Sequence, residues 1–176
     1  RLVNAGSLQL PGVLDELYAA ATAARLGVSW AGDVPTLRVW APTARQVGLR
    51  LWCVGDDLHA PGRPLPATRE PDGCWAVTGA PDWRGARYRW EVTVFAPSGR
   101  RVVTNQVTDP YSVSLTVNST HSVIVDLDGP ELMPAQWRDA PSPRLEHPVD
   151  QVIYELHVRD FSINDKSVPE HERGSF

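Results

Sequence analysis

The chain has 176 residues, enough for one folded domain, or for one domain with part of a second. Apolar residues make up 42% and charged residues 22%, which excludes a disordered chain, and no run of about eighteen apolar residues is present to cross a membrane. The net charge of −4 leaves no basic excess for nucleic-acid phosphates, so we expect neither a nucleic acid nor a membrane as partner.

One helix is predicted near the start, in the segment PGVLDELYAAATAARLG. Asp15 and Glu16 favour its N-terminal end, an alanine-rich middle follows, and Gly27 lies just past it as a stop. We therefore assign residues 1–33 to an N-terminal helical segment.

The pattern then changes to strict alternation of apolar and polar residues, the period of a β-strand. Loops with proline and glycine separate the alternating segments, and no helical pattern lies between them. About six short strands in this arrangement are typical of a mainly β fold, an immunoglobulin-like antiparallel β-sandwich, which we assign to residues 34–128. The predicted strands are TLRVWA, QVGLRLW, CWAVTG, RYRWEVTVF, RVVT and HSVIVDL.

A different kind of sequence follows the sandwich. Residues 129–150 contain five prolines in 22 positions and show no periodicity, which predicts an extended linker. Residues 151–162, QVIYELHVRDFS, are predicted to form a strand buried on both sides, with Glu155 and His157 on one face, as in an α/β barrel. Because such a barrel needs about 250 residues, we expect residues 151–176 to be the start of a truncated (β/α)8 domain.

Cysteine and histidine give no signal of a metal or cofactor. Cys53 and Cys74 are the two cysteines, and their spacing fits no zinc site. Two reduced thiols and one disulfide bridge both remain open, since the segments could be neighbouring strands. The five histidines are scattered, so no metal ligands and no cofactor are predicted.

Five blocks carry a family resemblance: VPTLRVWAPTARQVGLRLW, GARYRWEVTVF, VTDPYSVSLTVNSTHSVIVDL, VIYELHVRDFS and VPEHERGSF. Their order and spacing resemble the pullulanase-type debranching enzymes, including limit dextrinases, of the alpha-amylase superfamily. The resemblance implies hydrolysis of alpha-1,6 branch linkages in pullulan, starch or glycogen dextrins. It also implies that the sandwich is similar to carbohydrate-binding module family 48, the isoamylase N-terminal domain, and that residues 151–162 are the first strand of the catalytic barrel.

The same resemblance implies that this chain has no catalytic residue. In that family the catalytic carboxylates follow the fourth, fifth and seventh barrel strands, so the chain alone is predicted to be inactive and to brace the catalytic barrel. Its expected partners are an alpha-glucan, through the parent enzyme, and its own barrel. An independent starch- or glycogen-binding module is the alternative. No cellular compartment follows from the sequence.

Three residues are candidates for contact with a glucan. The alternation places Trp75 and Trp90 in the core, while Trp52 points away from it, and Trp83 in the loop PDWRG is expected to be exposed. An exposed aromatic ring can stack on a glucose ring. Arg89 matches a basic sugar contact of the glycogen-binding members of module family 48, although the tryptophans that those members present in two loops are missing here. The predicted carbohydrate-binding residues are therefore Trp52, Trp83 and Arg89.

Overall fold

Two antiparallel sheets form the first of two units in this computed structural model, which describes residues 10–141 and 144–175. The units are Arg1–Ala135 and Gln136–Phe176. Parts of the predicted segments, namely residues 1–9, 142–143 and 176, lie outside the described residues. The strands of the described residues are β1 (Gly27–Ala31), β2 (Val34–Trp40), β3 (Gln46–Trp52), β4 (Arg63–Pro66), β5 (Thr68–Arg69), β6 (Cys74–Thr78), β7 (Arg87–Ala96), β8 (Arg101–Val107) and β9 (Ser122–Val123).

The first sheet has the strand order β1-β2-β6-β5, and the second sheet has the order β4-β3-β7-β8, with β9 also pairing with β7. The core lies between them. In the first sheet Leu37 pairs with Val77, and in the second Leu49 pairs with Trp90. All four side chains belong to one buried cluster, and each contributes roughly 1.5–3 kcal/mol by leaving water. This confirms the predicted antiparallel sandwich.

Three strands of the sandwich are not among those predicted: β1, β4 and β5. Strand β4 contains Pro64 and Pro66, which lack the backbone N–H that an inner strand must donate. It lies at the edge of the second sheet, where proline is tolerated. Strand β1 falls inside the segment predicted to be helical and pairs with β2 at the edge of the first sheet.

The N-terminal helix is shorter than predicted. Helix α1 spans Pro11–Leu17, and a 3-10 helix spans Ala19–Ala23. Neither element contains a buried residue, and without tertiary packing even an alanine-rich helix of this length is marginal in water. Gly27 begins β1 with φ +76°, and a Cβ there would lie 2.8 Å from the carbonyl oxygen of Tyr111. The chain thus needs a glycine where it leaves the helical segment.

The second unit has only short elements among its described residues. They are a 3-10 helix at Pro148–Asp150, helix α2 at Val158–Ser162, and a 3-10 helix at Glu170–Glu172. The predicted barrel strand is not confirmed: residues 151–157 pair with no strand among the described residues, and α2 occupies the end of the predicted strand. A strand exists only with a partner that accepts and donates its backbone hydrogen bonds. None of the described helices has both the length and the apolar character needed to cross a bilayer.

Candidate functional site

The outer face of the second sheet gathers polar side chains from three strands. Because the alternate residues of β3 point into the core, Arg50 points outward, and the strand register places it beside Arg89 of β7. The same register places Gly48 beside Glu91, and Glu91 beside Gln106 of β8. The sheet pairing therefore brings together residues that are more than fifty positions apart in the chain.

These side chains form a hydrogen-bonded floor. Arg50 Nε lies 2.8 Å from Glu91 Oε2, and Gln106 Nε2 donates to the same oxygen at 3.1 Å. The hydrogen bond from Arg50 is the main cause that lowers the pKa of Glu91, so this carboxylate stays charged at neutral pH. The hydroxyl oxygens of Thr93 and Thr104 are 2.8 Å apart on the same floor.

A groove of about 470 Å³ lies over this floor, and we call it the polar groove. Strand β4 forms one wall, where Pro64 and Pro66 pair with Arg50 and Gly48. Gly48 has no side chain to fill the groove. Donors and acceptors of this kind suit a ligand rich in hydroxyl groups. Sequence analysis did not identify the groove; alternation shows that its residues point outward, but only the register shows that they meet. The lining includes Gly48, Arg50, Pro64, Pro66, Glu91, Thr93 and Thr104.

Arg89, one of the predicted sugar contacts, is half-buried on this outer face. Its Nε donates to the carbonyl oxygen of Thr120 at 2.5 Å. This hydrogen bond fixes the guanidinium group against the turn that precedes β9. Arg89 thus joins the face that carries the polar groove.

Trp52 also points outward, as predicted, yet its ring is covered. Only 3% of the residue is exposed, because residues 53–62, which we call the Trp52 loop, fold over it. The indole Nε1 donates to Ala60 O at 2.9 Å. A Cβ on Gly62 would lie 2.6 Å from the ring, so only glycine fits against that face. The ring has no free face for stacking on a sugar.

Trp83 is buried as well, and the expectation that it is exposed in its loop is wrong. It ends the 3-10 helix Pro81–Trp83 with 5% exposure and belongs to the core cluster. A Cβ on Gly79 would overlap its ring, and the Arg63 guanidinium lies 5.9 Å from the ring centroid. The sequence of the loop is polar, but its tryptophan packs into the core cluster of the sandwich. Glucan contact by Trp52, Trp83 and Arg89 stays a prediction.

The other tryptophans of the core behave as predicted. Trp90 is fully buried and Trp75 is 7% exposed, both on inward faces. Trp40 points outward from β2, is half-buried, and lines a cavity of about 280 Å³ beside Tyr18 and Tyr111. Trp40 therefore packs near the N-terminal helical segment rather than forming an open platform.

Both cysteines are free, so of the two alternatives the pair of reduced thiols is the one observed. Among the described residues, one cluster brings three potential metal ligands within 4.8 Å: Glu70, Asp72 and Cys74. Arg38 already donates to both carboxylate oxygens of Glu70, at 2.7 and 3.0 Å. Burial raises the pKa of the Cys74 thiol to about 12, so this thiol is protonated at neutral pH. This cluster is better explained as an ion pair beside a buried thiol.

Comparisons with known proteins match one module family over half of the chain and pullulanases over almost its whole length. The family model described as carbohydrate-binding module 48 (isoamylase N-terminal domain) matches residues 25–112, half of the chain. A pullulanase of Klebsiella pneumoniae is 39% identical over 181 aligned residues, covering 99% of this chain and 16% of the relative. The chloroplastic pullulanase 1 of Arabidopsis thaliana is 35% identical over 178 aligned residues, covering 100% of this chain and 18% of the relative.

The chain is also similar to solved structures of pullulanases. The crystal structure of Klebsiella pneumoniae pullulanase complexed with maltotriose matches with a TM-score of 0.76 and 39% identity, covering 93% of this chain and 16% of that chain. A structure of pullulanase from Bacillus acidopullulyticus matches with a TM-score of 0.65 and 34% identity, covering 81% of this chain and 16% of that one. This chain spans less than a fifth of the length of these relatives.

Proposed function

Because the chain belongs to the carbohydrate-binding module 48 family, we propose that its sandwich is the accessory domain of a glycoside hydrolase that cleaves alpha-1,6 branch linkages in pullulan, starch or glycogen dextrins. The observation that carries this proposal is the match to pullulanases over 99% and 100% of the chain, which includes the residues outside the family model. Fold alone would not support an activity, since one fold hosts many functions.

The chain's own role in this proposal is to brace the catalytic barrel, and the hydrolysis itself belongs to residues outside this chain. The second unit supports a docking role. Its described residues expose apolar side chains in close succession: Val149 by 88%, Val152 by 95%, Ile153 by 80% and Tyr154 by 75%. An exposed apolar run of this kind is typical of a surface that another folded unit covers. We propose that residues 129–150 link the sandwich to the barrel and that residues 151–162 are the barrel's first strand.

Direct binding of a glucan by the sandwich is the second candidate, and the polar groove favours it. A ligand rich in hydroxyl groups would exchange hydrogen bonds with Arg50, Glu91 and the two threonines of the floor, with Arg89 close by on the same face. The buried rings of Trp52 and Trp83 weigh against stacking, which supplies much of the affinity when a protein binds a sugar through an aromatic platform. We therefore propose bracing as the main role.

Titration with a glucan separates the two roles. The chain is titrated with maltoheptaose and with a branched dextrin in a calorimeter, and the titration is repeated with Arg89→Gln and Arg50→Gln. Arg144→Gln, which removes the same charge from the second unit, is the matched control. Saturable binding that only the sandwich variants lose would support direct binding. Heat signals that stay at the level of dilution up to about millimolar sugar, an affinity of about −4 kcal/mol, would leave bracing as the role.

Activity tests the bracing role itself. The enzyme that carries this sandwich is compared with the same enzyme lacking residues 34–128, measuring reducing ends released from pullulan and the midpoint of thermal inactivation. We expect both to fall on deletion, because in the proposed role the barrel loses a folded domain that packs against it. Unchanged stability and rate would refute bracing. Release of reducing ends by the present chain alone would refute its assignment as non-catalytic.

A further inference from the structure

His121 is a buried titratable residue to which the proposed function gives no role. It lies in the turn before β9, and 3% of it is exposed. Its Nδ1 is 3.0 Å from Thr120 Oγ1, while its Nε2 is buried and has no hydrogen-bond partner in the described part of the chain. An imidazolium needs an acceptor for each of its two N–H groups. The site therefore suits a neutral ring, because the described residues provide no acceptor for a proton on Nε2.

The ring of His121 is in direct contact with Trp52. The two ring centroids are 4.6 Å apart, with an interplanar angle of 82°. Trp52 in turn is held by the Trp52 loop through the hydrogen bond to Ala60 and the close approach of Gly62. His121, Trp52 and the loop thus form one packed stack on the outer face of the second sheet.

The charged groups that face His121 are positive. They are Arg89 and Arg87 of β7 and, from the Trp52 loop, His59. Together with burial, which is the largest cause, they lower the pKa of His121 from its ordinary value. His59 belongs to the loop that covers Trp52, so part of the charge that opposes protonation of His121 lies on that loop.

The acidic residues of the Trp52 loop do not offset this. Asp56 accepts the backbone N–H of Cys53 at 2.7 Å, and Asp57 accepts the backbone N–H of His59 at 2.9 Å. Both carboxylates are engaged in the turns that give the loop its shape. Of the acceptors in the described stack, none is directed at His121 Nε2.

We propose that the Trp52 loop is a pH-sensitive cover, which opens when His121 is protonated and exposes the Trp52 ring on the outer face of the second sheet. The imidazolium reaches the water it needs only if the packing around it loosens. The backbone N–H groups of Asp56 and Ala60 donate within the loop rather than to a neighbouring strand, so the loop can move without breaking a sheet. Opening frees an aromatic ring on the face that carries Arg89. This response of the Trp52 loop to pH is independent of whether the sandwich binds a sugar.

Quenching of Trp52 emission by acrylamide tests the opening. The Trp52 signal is the difference between the unaltered chain and Trp52→Phe, recorded from about pH 7.5 to about pH 5, the range in which a histidine titrates. We expect the quenching constant to rise several-fold on acidification, while the far-ultraviolet circular dichroism stays constant. His121→Gln should abolish the rise, since glutamine keeps a polar side chain that cannot take up a proton. His171→Gln, at an exposed histidine of the second unit, is the matched control and should change nothing.

Two further measurements test the opening of the loop without the His121→Gln variant, which could fail to fold. The ring resonances of His121 report its pKa by NMR, and the rise in quenching should share that midpoint. His59→Gln removes one repelling charge and should move both midpoints to higher pH. A Trp52 quenching constant that is unchanged while His121 titrates would overturn the inference. So would a His121 pKa above the ordinary value, or a loss of circular dichroism at the same midpoint, which would mean global unfolding.

Discussion

The hydroxyl group of Tyr88 joins two buried parts of the sandwich. It donates to Asp109 Oδ2 at 2.7 Å, and the two residues are 0% and 4% exposed. Asp109 also accepts the backbone N–H of Tyr111 at 2.8 Å, and its own N–H donates to Ser122 Oγ at 2.9 Å. Asp109 thus ties the segment after β8 to strand β7 through its carboxylate and to β9 through its backbone N–H.

Tyr88→Phe removes only this donor and leaves a buried carboxylate oxygen without it. A hydrogen bond to a charged group contributes about 1.5–3 kcal/mol, and the loss is larger when the partner stays buried, so we expect the free energy of unfolding to fall by about 2–3 kcal/mol. At about 2–4 °C per kcal/mol for a chain of this size, the midpoint of thermal unfolding should fall by about 5–10 °C. Urea unfolding and thermal unfolding, each followed by near-ultraviolet circular dichroism, measure the two quantities.

Tyr154→Phe is the matched control, because it makes the same chemical change at a residue that is 75% exposed. We expect it to change stability by less than about 0.5 kcal/mol. If Tyr88→Phe costs no more than this control, the buried hydrogen bond does not stabilise the sandwich and the reasoning fails.

The pH dependence gives Tyr88 a second, independent signature. Burial, followed by the Asp109 charge, raises the pKa of Tyr88, so the folded chain keeps the proton that the unfolded chain loses at about pH 10. This contribution to stability is complete below that pH and is lost as the pH rises further. Tyr88→Phe should therefore flatten the decline in unfolding free energy above about pH 10. A decline of unchanged slope in the variant would contradict the assignment.

Two other predictions concern the Trp52 loop and the buried thiol. Gly62→Ala and Gly32→Ala both place a side chain at a left-handed φ, +64° and +59°, so both substitutions strain the backbone. Only the Cβ at Gly62 meets the Trp52 ring. Gly62→Ala should therefore lower the unfolding free energy by about 1–2 kcal/mol more than Gly32→Ala does. Equal losses in urea unfolding would show that the loop does not press on the ring. Because burial raises the pKa of Cys74 to about 12, stability should decline as the pH rises above about 9, and Cys74→Ala should reduce that decline between about pH 8 and 10. Parallel pH profiles of unfolding free energy for the two chains would exclude this source of the decline.

The sequence by itself determined the inner strands of the sandwich. Alternation identified the inner strands β2, β3, β6 and β7 because each buries one face, and a one-residue slip would expose every apolar side chain on it. It placed Trp75 and Trp90 in the core for the same reason, and both are there. The ordered blocks also predicted a domain of carbohydrate-binding module family 48, which the match to residues 25–112 confirms.

The edge strands β1, β4 and β5 and the ends of the N-terminal helix escaped this reasoning, since their signals are weak or contradictory. The prolines of β4 are compatible with an edge strand or with a loop, but not with an inner strand. Only the sheet order shows that this segment is an edge strand. The N-terminal helix ends early because nothing in the described structure buries one of its faces, which no local propensity reveals.

Only the tertiary structure decided which outward residues meet solvent. Alternation correctly turns Trp52 away from the core, yet the path of the loop that follows covers the ring, and His121, far along the chain, packs against it. Trp83 lies in a polar loop sequence and is nevertheless part of the core. The side-chain period of a strand fixes a direction, whereas burial depends on what other segments occupy that direction, and their arrangement is set by packing over long separations in the chain.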